Sequence, residues 1–314
     1  MVAMARFPGG RVSLRRKAES DEGFAFLKTQ QISERTKEVN NLAGFIRIFA
    51  AGLMGFLLFM SWPAFAADTL VVKGSTTVFP IAQAASEAYM KRRPDINISV
   101  SAGGSGDGIK ALIEKTTDIA NSSRDIKKEE MDMAMERGIY PVAHRIAIDA
   151  IVPIVHPTNT VKNLTTEQLN LIFQGRIKNW KDVGGANKGI VVISRDPTSG
   201  TYDTWEEKIL RKAKVTPRAQ LQSSNGTVVH AISKSKYAIG YIGIGYLNTT
   251  VKGIKVNGIE PSVHTILSGK YPVARPLFMY TDGEPSGIAG DFIKFLLSQE
   301  GQVIVKKEGF LPLH

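Results

Sequence analysis

Three short segments place hydroxyls and glycines where a chain should turn from a strand into a helix. They are Gly74-Ser75-Thr76-Thr77, Gly104-Ser105-Gly106 and Ser199-Gly200-Thr201. A helix start leaves its first backbone N–H groups without partners and carries the positive end of the helix dipole, a combination that suits an oxyanion. Glycine allows close backbone approach, and hydroxyls add donors with little bulk. Any one such turn is better explained as an ordinary N-cap, because Ser and Thr favour helix starts regardless of ligand. Three in one chain, with arginines nearby, point to a ligand. Arg124 and Arg195 each follow a short apolar run and lie within a few residues of a serine-containing turn. A guanidinium there presents a donor fork to a tetrahedral anion. Asp149 closes the run Ile146-Ala147-Ile148 and precedes another apolar stretch. A carboxylate between two buried strands needs a partner, either a backbone turn or a hydrogen on a ligand.

Other chemistries do not find their residues. The chain has no cysteine, which excludes disulfides, thiolate metal sites, a cysteine nucleophile and a lipid carried on an N-terminal cysteine. The five histidines (144, 156, 230, 264 and 314) show no metal-binding spacing. The segment from Gly103 to Lys110 fails the phosphate-loop pattern because Ile109 stands where lysine is required. The nucleophile-elbow and dinucleotide patterns fail around Ser105 as well. No nucleophile–base pair stands out. A binding protein without metal or cofactor is therefore expected rather than an enzyme, the enzymatic alternative being an exported phosphatase using one of the hydroxyls.

The elements that would position these residues alternate. Strands are expected over 70–73, 96–101, 118–121, 142–148, 151–155, 190–194, 238–242 and 276–280. Helices are expected from Pro80 to Pro94, around 109–113, over 126–137 and 167–173, from Ser199 through Ile209, from Asn225, and over 288–297. Such alternation means an α/β fold with mostly parallel sheets. A break near Pro157-Thr158-Asn159 suggests two lobes. In open α/β sheets ligands sit beyond the carboxyl ends of the strands, where the three turns would fall.

Hydrophobic residues make up 43% of the 314-residue chain, enough for a core, and 40 basic against 29 acidic residues give +11. Arg47, the apolar run 48–60, the breakers Ser61-Trp62-Pro63 and then Ala64-Phe65-Ala66 read as an N-terminally extended export signal over 1–66, cut after Ala66. The apolar run is too short to span a membrane, which takes roughly 20 residues. The mature 248 residues would carry +7. An exported chain meets no cytoplasmic nucleic acid, so the basic excess is assigned to small anions.

Taken together, Gly74-Ser75-Thr76-Thr77 with Pro80, Gly104-Ser105-Gly106, Ser123-Arg124, Asp149 and Arg195-x-x-x-Ser199-Gly200-Thr201 resemble the periplasmic phosphate-binding proteins of the phosphate-specific ABC transporter. The likeness covers nearly all of 68–314. The Arg-x-x-x-Ser-Gly-Thr element is its most specific part, and Gly240-Tyr241-Ile242-Gly243 looks like the family's return crossover. The resemblance implies a type II two-lobe periplasmic-binding fold, with phosphate in a cleft between lobes joined by two crossovers. Lobe I would hold 67–152 and 245–314, and lobe II 153–244. Ser75, Thr76, Thr77 and Ser105 would donate from lobe I, and Arg195, Ser199, Gly200 and Thr201 from lobe II. Long-form relatives carry an acidic residue where this chain has Arg124. Shorter forms have arginine there, with the aspartate supplied at the position of Asp149. The implied role is capture of inorganic phosphate by a monomer in the periplasm, free of a lipid anchor, and delivery to inner-membrane permease subunits, with no nucleic-acid partner. Asp149 would accept the hydrogen bond of protonated phosphate, a contact that sulfate lacks. Alternatives in the same binding class are sulfate and molybdate, and a further alternative is a matrix protein with a vestigial site.

Overall fold

The computed structural model describes residues 68–314; the expected export signal over 1–66 lies outside them. In chain order the elements are β1 (Asp68–Ser75), α1 (Phe79–Arg92), β2 (Ile96–Gly103), α2 (Ser105–Ile113), β3 (Ile119–Ser122), α3 (Lys128–Glu136), β4 (Pro141–Val155), β5 (Asn163–Leu164) and α4 (Thr166–Phe173). They continue with β6 (Val191–Arg195), α5 (Gly200–Trp205), β7 (Gln220–Gln222), α6 (Asn225–Lys234), β8 (Ala238–Gly243), β9 (Lys252–Gly253), β10 (Lys255–Val256), α7 (Val263–Leu267), β11 (Ala274–Asp282), α8 (Gly287–Leu297) and α9 (Gln299–Lys307). The expected alternation is present. Pro80 sits in the first turn of α1, where its missing N–H costs nothing. Ser199 and Ser224 cap α5 and α6 by accepting backbone N–H groups of the first turn.

The principal sheet has the order β2-β1-β3-β11-β4-β8-β6-β7, with β9 attached to β4 and β5–β10 forming a separate pair. The outer pairs β1–β2, β1–β3, β6–β7 and β6–β8 are parallel. The central pairs β11–β3, β11–β4 and β4–β8 are antiparallel. The sheet is therefore mixed rather than mostly parallel, for a topological reason. β4 carries the chain out of one half of the molecule and β11 carries it back, so the two neighbours must run in opposite directions.

β4 is also one continuous strand of 15 residues, where two strands separated at Asp149 were expected. Its first part pairs with β11 and its last five residues with β8. The ladder passes straight through Asp149 because Arg275 of β11 is its register partner. A charge that would otherwise break a buried strand is met by the opposite charge in the neighbouring strand.

Two sets of apolar clusters lie on either side of this crossing. One packs Leu70, Val72, Ile81, Ile98, Leu277 and Phe292, with Tyr89 set edge-on against Phe292 at 5.8 Å. The other packs Leu164, Phe173, Trp180, Trp205 and Tyr241. Ile254, Val256, Ile266, Tyr271 and Val273 join that second cluster. β9 pairs with the end of β4 and β10 with β5. The stretch 252–273 therefore packs with the half that holds β6 and β8.

Trp205 stacks flat on Tyr241, with ring centroids 4.3 Å apart and planes 6° apart, and Phe173 meets both rings. The Tyr241 hydroxyl hydrogen-bonds the Ser194 hydroxyl at 2.9 Å and accepts the Arg195 N–H at 3.3 Å, so this aromatic core also fixes the end of β6. Replacing Trp205 with alanine should cost about 3–5 kcal/mol of stability. Urea unfolding is the measurement, and a loss below about 1 kcal/mol would mean that the stack does not anchor this half.

Candidate functional site

The site grows from the β4–β11 ladder. Arg275 Nε donates to Asp149 Oδ2 at 2.9 Å, and Nη2 lies 2.8 Å from the same oxygen. Asp149 Oδ1 accepts the Ile244 N–H at 3.0 Å. Burial pushes the Asp149 carboxyl above the ordinary range, and Arg275 pulls it back without cancelling the shift. Burial lowers Arg275 likewise, against the pull of Asp149, but a guanidinium stays cationic. The pair is a desolvated ion pair held within protein. Gly243 packs tightly beside it: a Cβ there would lie 3.0 Å from both carboxylate oxygens and from Thr77 Cγ2, so a larger residue would have to displace one of them.

Arg275 then reaches across the cleft. Its Nη2 donates to Thr201 Oγ1 at 2.9 Å and to Thr77 Oγ1 at 3.3 Å. The two threonine hydroxyls are 3.0 Å apart, one from the β1–α1 turn and one from the first turn of α5. Asn225, at the start of α6, donates from Nδ2 to Thr76 Oγ1 at 3.3 Å and to Thr77 Oγ1 at 3.1 Å, while its Oδ1 accepts the Gly243 N–H at 3.2 Å. The Tyr246 hydroxyl donates to the Thr76 carbonyl. Arg195, only 1% exposed, closes the set. Its Nε donates to the Gln222 carbonyl at 3.0 Å, and its Nη2 to the Ser223 carbonyl at 2.9 Å and to Thr76 Oγ1 at 3.2 Å.

Two features define the chemistry. Arg195 is pushed down by burial and also by the charge of nearby Arg275, against the opposing pull of Asp196. Two buried cations thus share a neighbourhood with one buried carboxylate. In addition, Nη1 of Arg195 and Nη1 of Arg275 are both buried with no hydrogen-bond partner. Buried donors on charged groups are rarely left unpaired, because each costs its full desolvation. Donor-rich, positively charged and lined by small hydroxyls, the arrangement suits a compact oxyanion. Among the described residues no group of histidine and carboxylate side chains could hold a metal ion.

The residues singled out in the sequence divide into four groups. Thr76, Thr77, Asp149, Arg195 and Thr201 meet in one network. Ser75 and Ser199 are turned onto backbone: Ser75 Oγ accepts the Thr77 N–H at 3.1 Å, and Ser199 Oγ accepts the Thr201 and Tyr202 N–H groups at 3.2 and 3.3 Å. Ser105 Oγ accepts the Ser123 N–H at 3.0 Å and lies 3.3 Å from the Ser123 hydroxyl, with Gly200 packed against both. Arg124 is tied to other partners. Its Nε donates to Asp203 at 2.6 Å, its Nη1 to Glu130 at 2.7 Å and to the Asp125 carbonyl at 2.9 Å, and its Nη2 to Glu130 at 2.7 Å.

Arg275, like Tyr246, belongs to this network and was not singled out by sequence reasoning. The signal was present: Arg275 opens the otherwise apolar run Pro276-Leu277-Phe278-Met279-Tyr280, and the same desolvation argument that flagged Asp149 applies to it. Asn225 offered only its place at a helix start.

A family model described as a PBP superfamily domain matches residues 63–300. The phosphate-binding protein PstS of Bacillus subtilis is 34% identical over 250 residues, covering 79% of this chain and 82% of the relative. PstS of Borreliella burgdorferi is 36% identical over 255 residues, covering 77% and 89%. A Clostridium perfringens structure, solved with bound phosphate and assigned to phosphate ABC transporters, matches with a TM-score of 0.73 at 35% identity, covering 79% of this chain and 100% of that one.

Removing Arg275 should expose the cost of the carboxylate it neutralises. Arg275→Met is expected to lose about 3–5 kcal/mol at neutral pH. Without the arginine, the folded-state pKa of Asp149 rises further above the unfolded value of about 3.9, so the folded chain holds a proton that the unfolded chain has released. The deficit should therefore be smallest near pH 4 and grow as the pH rises. Urea midpoints across that range, with and without Asp149→Asn in the same background, give the comparison. A deficit independent of pH and not relieved by Asp149→Asn would show that the pair is not what Arg275 supplies.

Proposed function

The chain belongs to the phosphate-binding protein family of ABC transporters, and from that premise we propose that it captures inorganic phosphate outside the inner membrane and passes it to a permease. One observation carries this reading: two buried guanidiniums each keep an unpartnered Nη1 beside the hydroxyls of Thr76, Thr77 and Thr201. A tetrahedral dianion or monoanion would receive those N–H groups, with the threonine hydroxyls and the Asn225 amide donating as well. Asp149 would contribute differently. Its Oδ2 takes both Nε and Nη2 of Arg275 and its Oδ1 the Ile244 N–H, so of the roughly four lone-pair positions on a carboxylate one on Oδ1 remains. That position would accept the hydrogen of protonated phosphate. Sulfate, fully ionised near neutral pH, would bring only acceptors to that position. A site built around such a hydrogen bond can reject a ligand lacking it by roughly 10⁴–10⁵.

The same reading divides the chain at its crossing strands. One lobe would take residues up to the middle of β4 and from β11 onward. The other would take the remainder, including 252–273, which packs there. Ser75 and Ser199 would shape the turns that present Thr76, Thr77 and Thr201. Export through the N-terminal signal, and action as a monomeric binding protein rather than an enzyme, complete the proposal.

Calorimetric titration with phosphate, repeated in excess sulfate, is the direct test. Binding should persist in sulfate, whereas equal affinity for the two anions would end the account of Asp149. Arg195→Ala should weaken phosphate binding by at least about 100-fold, as expected for truncating one partner of a buried charge contact. Arg195→Lys should recover only part of that, because a point charge does not reproduce the planar fork. Retained affinity in Arg195→Ala would remove the central cation from the site.

A further inference from the structure

We infer that Arg124 and Asp203 are positioning residues, forming with the glycines beside them a latch that holds the two lobes closed over the anion without touching it. This rests on the two-lobe binding function proposed above. Arg124 follows β3 on one side of the cleft, and Asp203 lies in α5 on the other, 79 residues away in sequence. Asp203 receives Arg124 Nε on Oδ2 at 2.6 Å and Lys127 Nζ on Oδ1 at 2.9 Å. Glu130 grips the far edge of the Arg124 guanidinium through both oxygens at 2.7 Å and so fixes its direction. Arg124 and Asp203 side chains are 8% and 14% exposed. Such a pair is screened far less than one on the surface.

The contrast with the other two arginines is chemical. Arg195 and Arg275 each present a buried Nη1 without a partner, whereas four of the five Arg124 donors are satisfied by protein. Burial alone would lower Arg124, but Glu130 and Asp203 outweigh it and raise the group. Its charge is neutralised before any ligand arrives. A groove of about 830 Å³ is lined by Arg124, Asp203 and Arg275.

The backbone beside the pair forms the rest of the seam. The Gly106 N–H donates to the Thr198 carbonyl at 3.0 Å, from one lobe to the other. At Gly104 a Cβ would come within 2.5 Å of the Thr198 carbonyl carbon and closer still to its oxygen. Yet Gly104 has φ −105° and ψ 169°, an extended conformation open to any residue. Its own backbone does not require glycine; the opposite lobe does. Gly200 repeats the pattern from the other side, where a Cβ would fall 2.8 Å from Ser123 Oγ and closer to Ser105 Oγ. These glycines, which in sequence look like a cradle for an anion, admit the facing lobe.

The test uses the full chain in two measurements. Because the chain has no cysteine, Met135→Cys and Leu221→Cys, both at exposed positions, can carry spin labels that report the interlobe distance. Asp203→Asn and Gly104→Ala should each shift the distance distribution toward longer values, with helix content unchanged. In stopped flow with inorganic phosphate, each should raise the off-rate and Kd by about tenfold with little change in on-rate, the usual division for interface changes. Arg124→Ala combined with Asp203→Asn should be no worse than either alone, since the pair acts as a unit. Two results would overturn the latch: unchanged distances in both single variants, or an Asp203→Asn that binds phosphate as tightly as the parent while Arg124→Ala abolishes binding. The latter would make Arg124 a ligand. If the parent bound no phosphate, the distance shift would still decide the latch separately from the ligand.

Discussion

The buried ion pair between Asp149 and Arg275 is the contact on which the remaining geometry rests. Each charge alone would be too costly to hold in the middle of a sheet. As register partners in β4 and β11 they neutralise one another, and the ladder continues through them. That continuity lets a single 15-residue strand belong to both halves of the molecule. It also sets where the ligand chemistry sits. Anchored by Asp149 through Nε and one edge of Nη2, Arg275 is left with Nη2 reaching Thr77 on one side and Thr201 on the other. The crossing strands and the buried donors are thereby joined through one side chain.

Charge explains why the three buried arginines near the cleft differ in role. Asp149 balances Arg275, whereas among the described residues the only carboxylate near Arg195 is the part-exposed Asp196, 3.8 Å from its Nη2, and burial and Arg275 lower Arg195 against that pull. The proposed anion would supply the missing negative charge and would relieve both unpartnered Nη1 groups at once. Arg124 has no such need, because Glu130 and Asp203 already surround it. Under the proposed function, proximity to the cleft would not decide which arginine receives a ligand; the number of donors that the protein leaves unmatched would.

The sequence was informative where chemistry is local. Helix starts marked by Ser, Thr and Gly after apolar runs located α1, α5 and α6, and with them Thr76, Thr77 and Thr201. Arg195 was legible because it sits at a strand end beside such a turn. Arg275 sits inside an apolar strand with no turn nearby, and its partner is 126 residues away. Only the rule that buried charges need partners could have linked it to Asp149, and that rule does not name the partner. The direction of strand pairing and the placement of 252–273 are likewise long-range facts. Gly104 was recognised as a residue that lets something approach closely. Whether that neighbour is an anion or Thr198 is decided by the fold and cannot be read from the glycine.

Separating the latch from the donors has a consequence for how affinity and selectivity are set. Contacts such as Arg124–Asp203 and Gly106–Thr198 stabilise the closed form by the same amount whichever anion is inside, so they scale all affinities together. Discrimination must come from groups that meet the ligand, which under the proposed function would be the two arginines, the threonines and Asp149. A latch strong enough to close the lobes without ligand would hinder entry, whereas a weak one would shorten residence. The composition of the seam reflects that balance. Its ion pair is largely but not fully buried, and Lys127, the second cation on Asp203, is 45% exposed. An exposed ammonium contributes little and is screened by salt. On the proposed reading, closure would draw on the anion satisfying Arg195 and Arg275, which would tie the closed state to the presence of ligand.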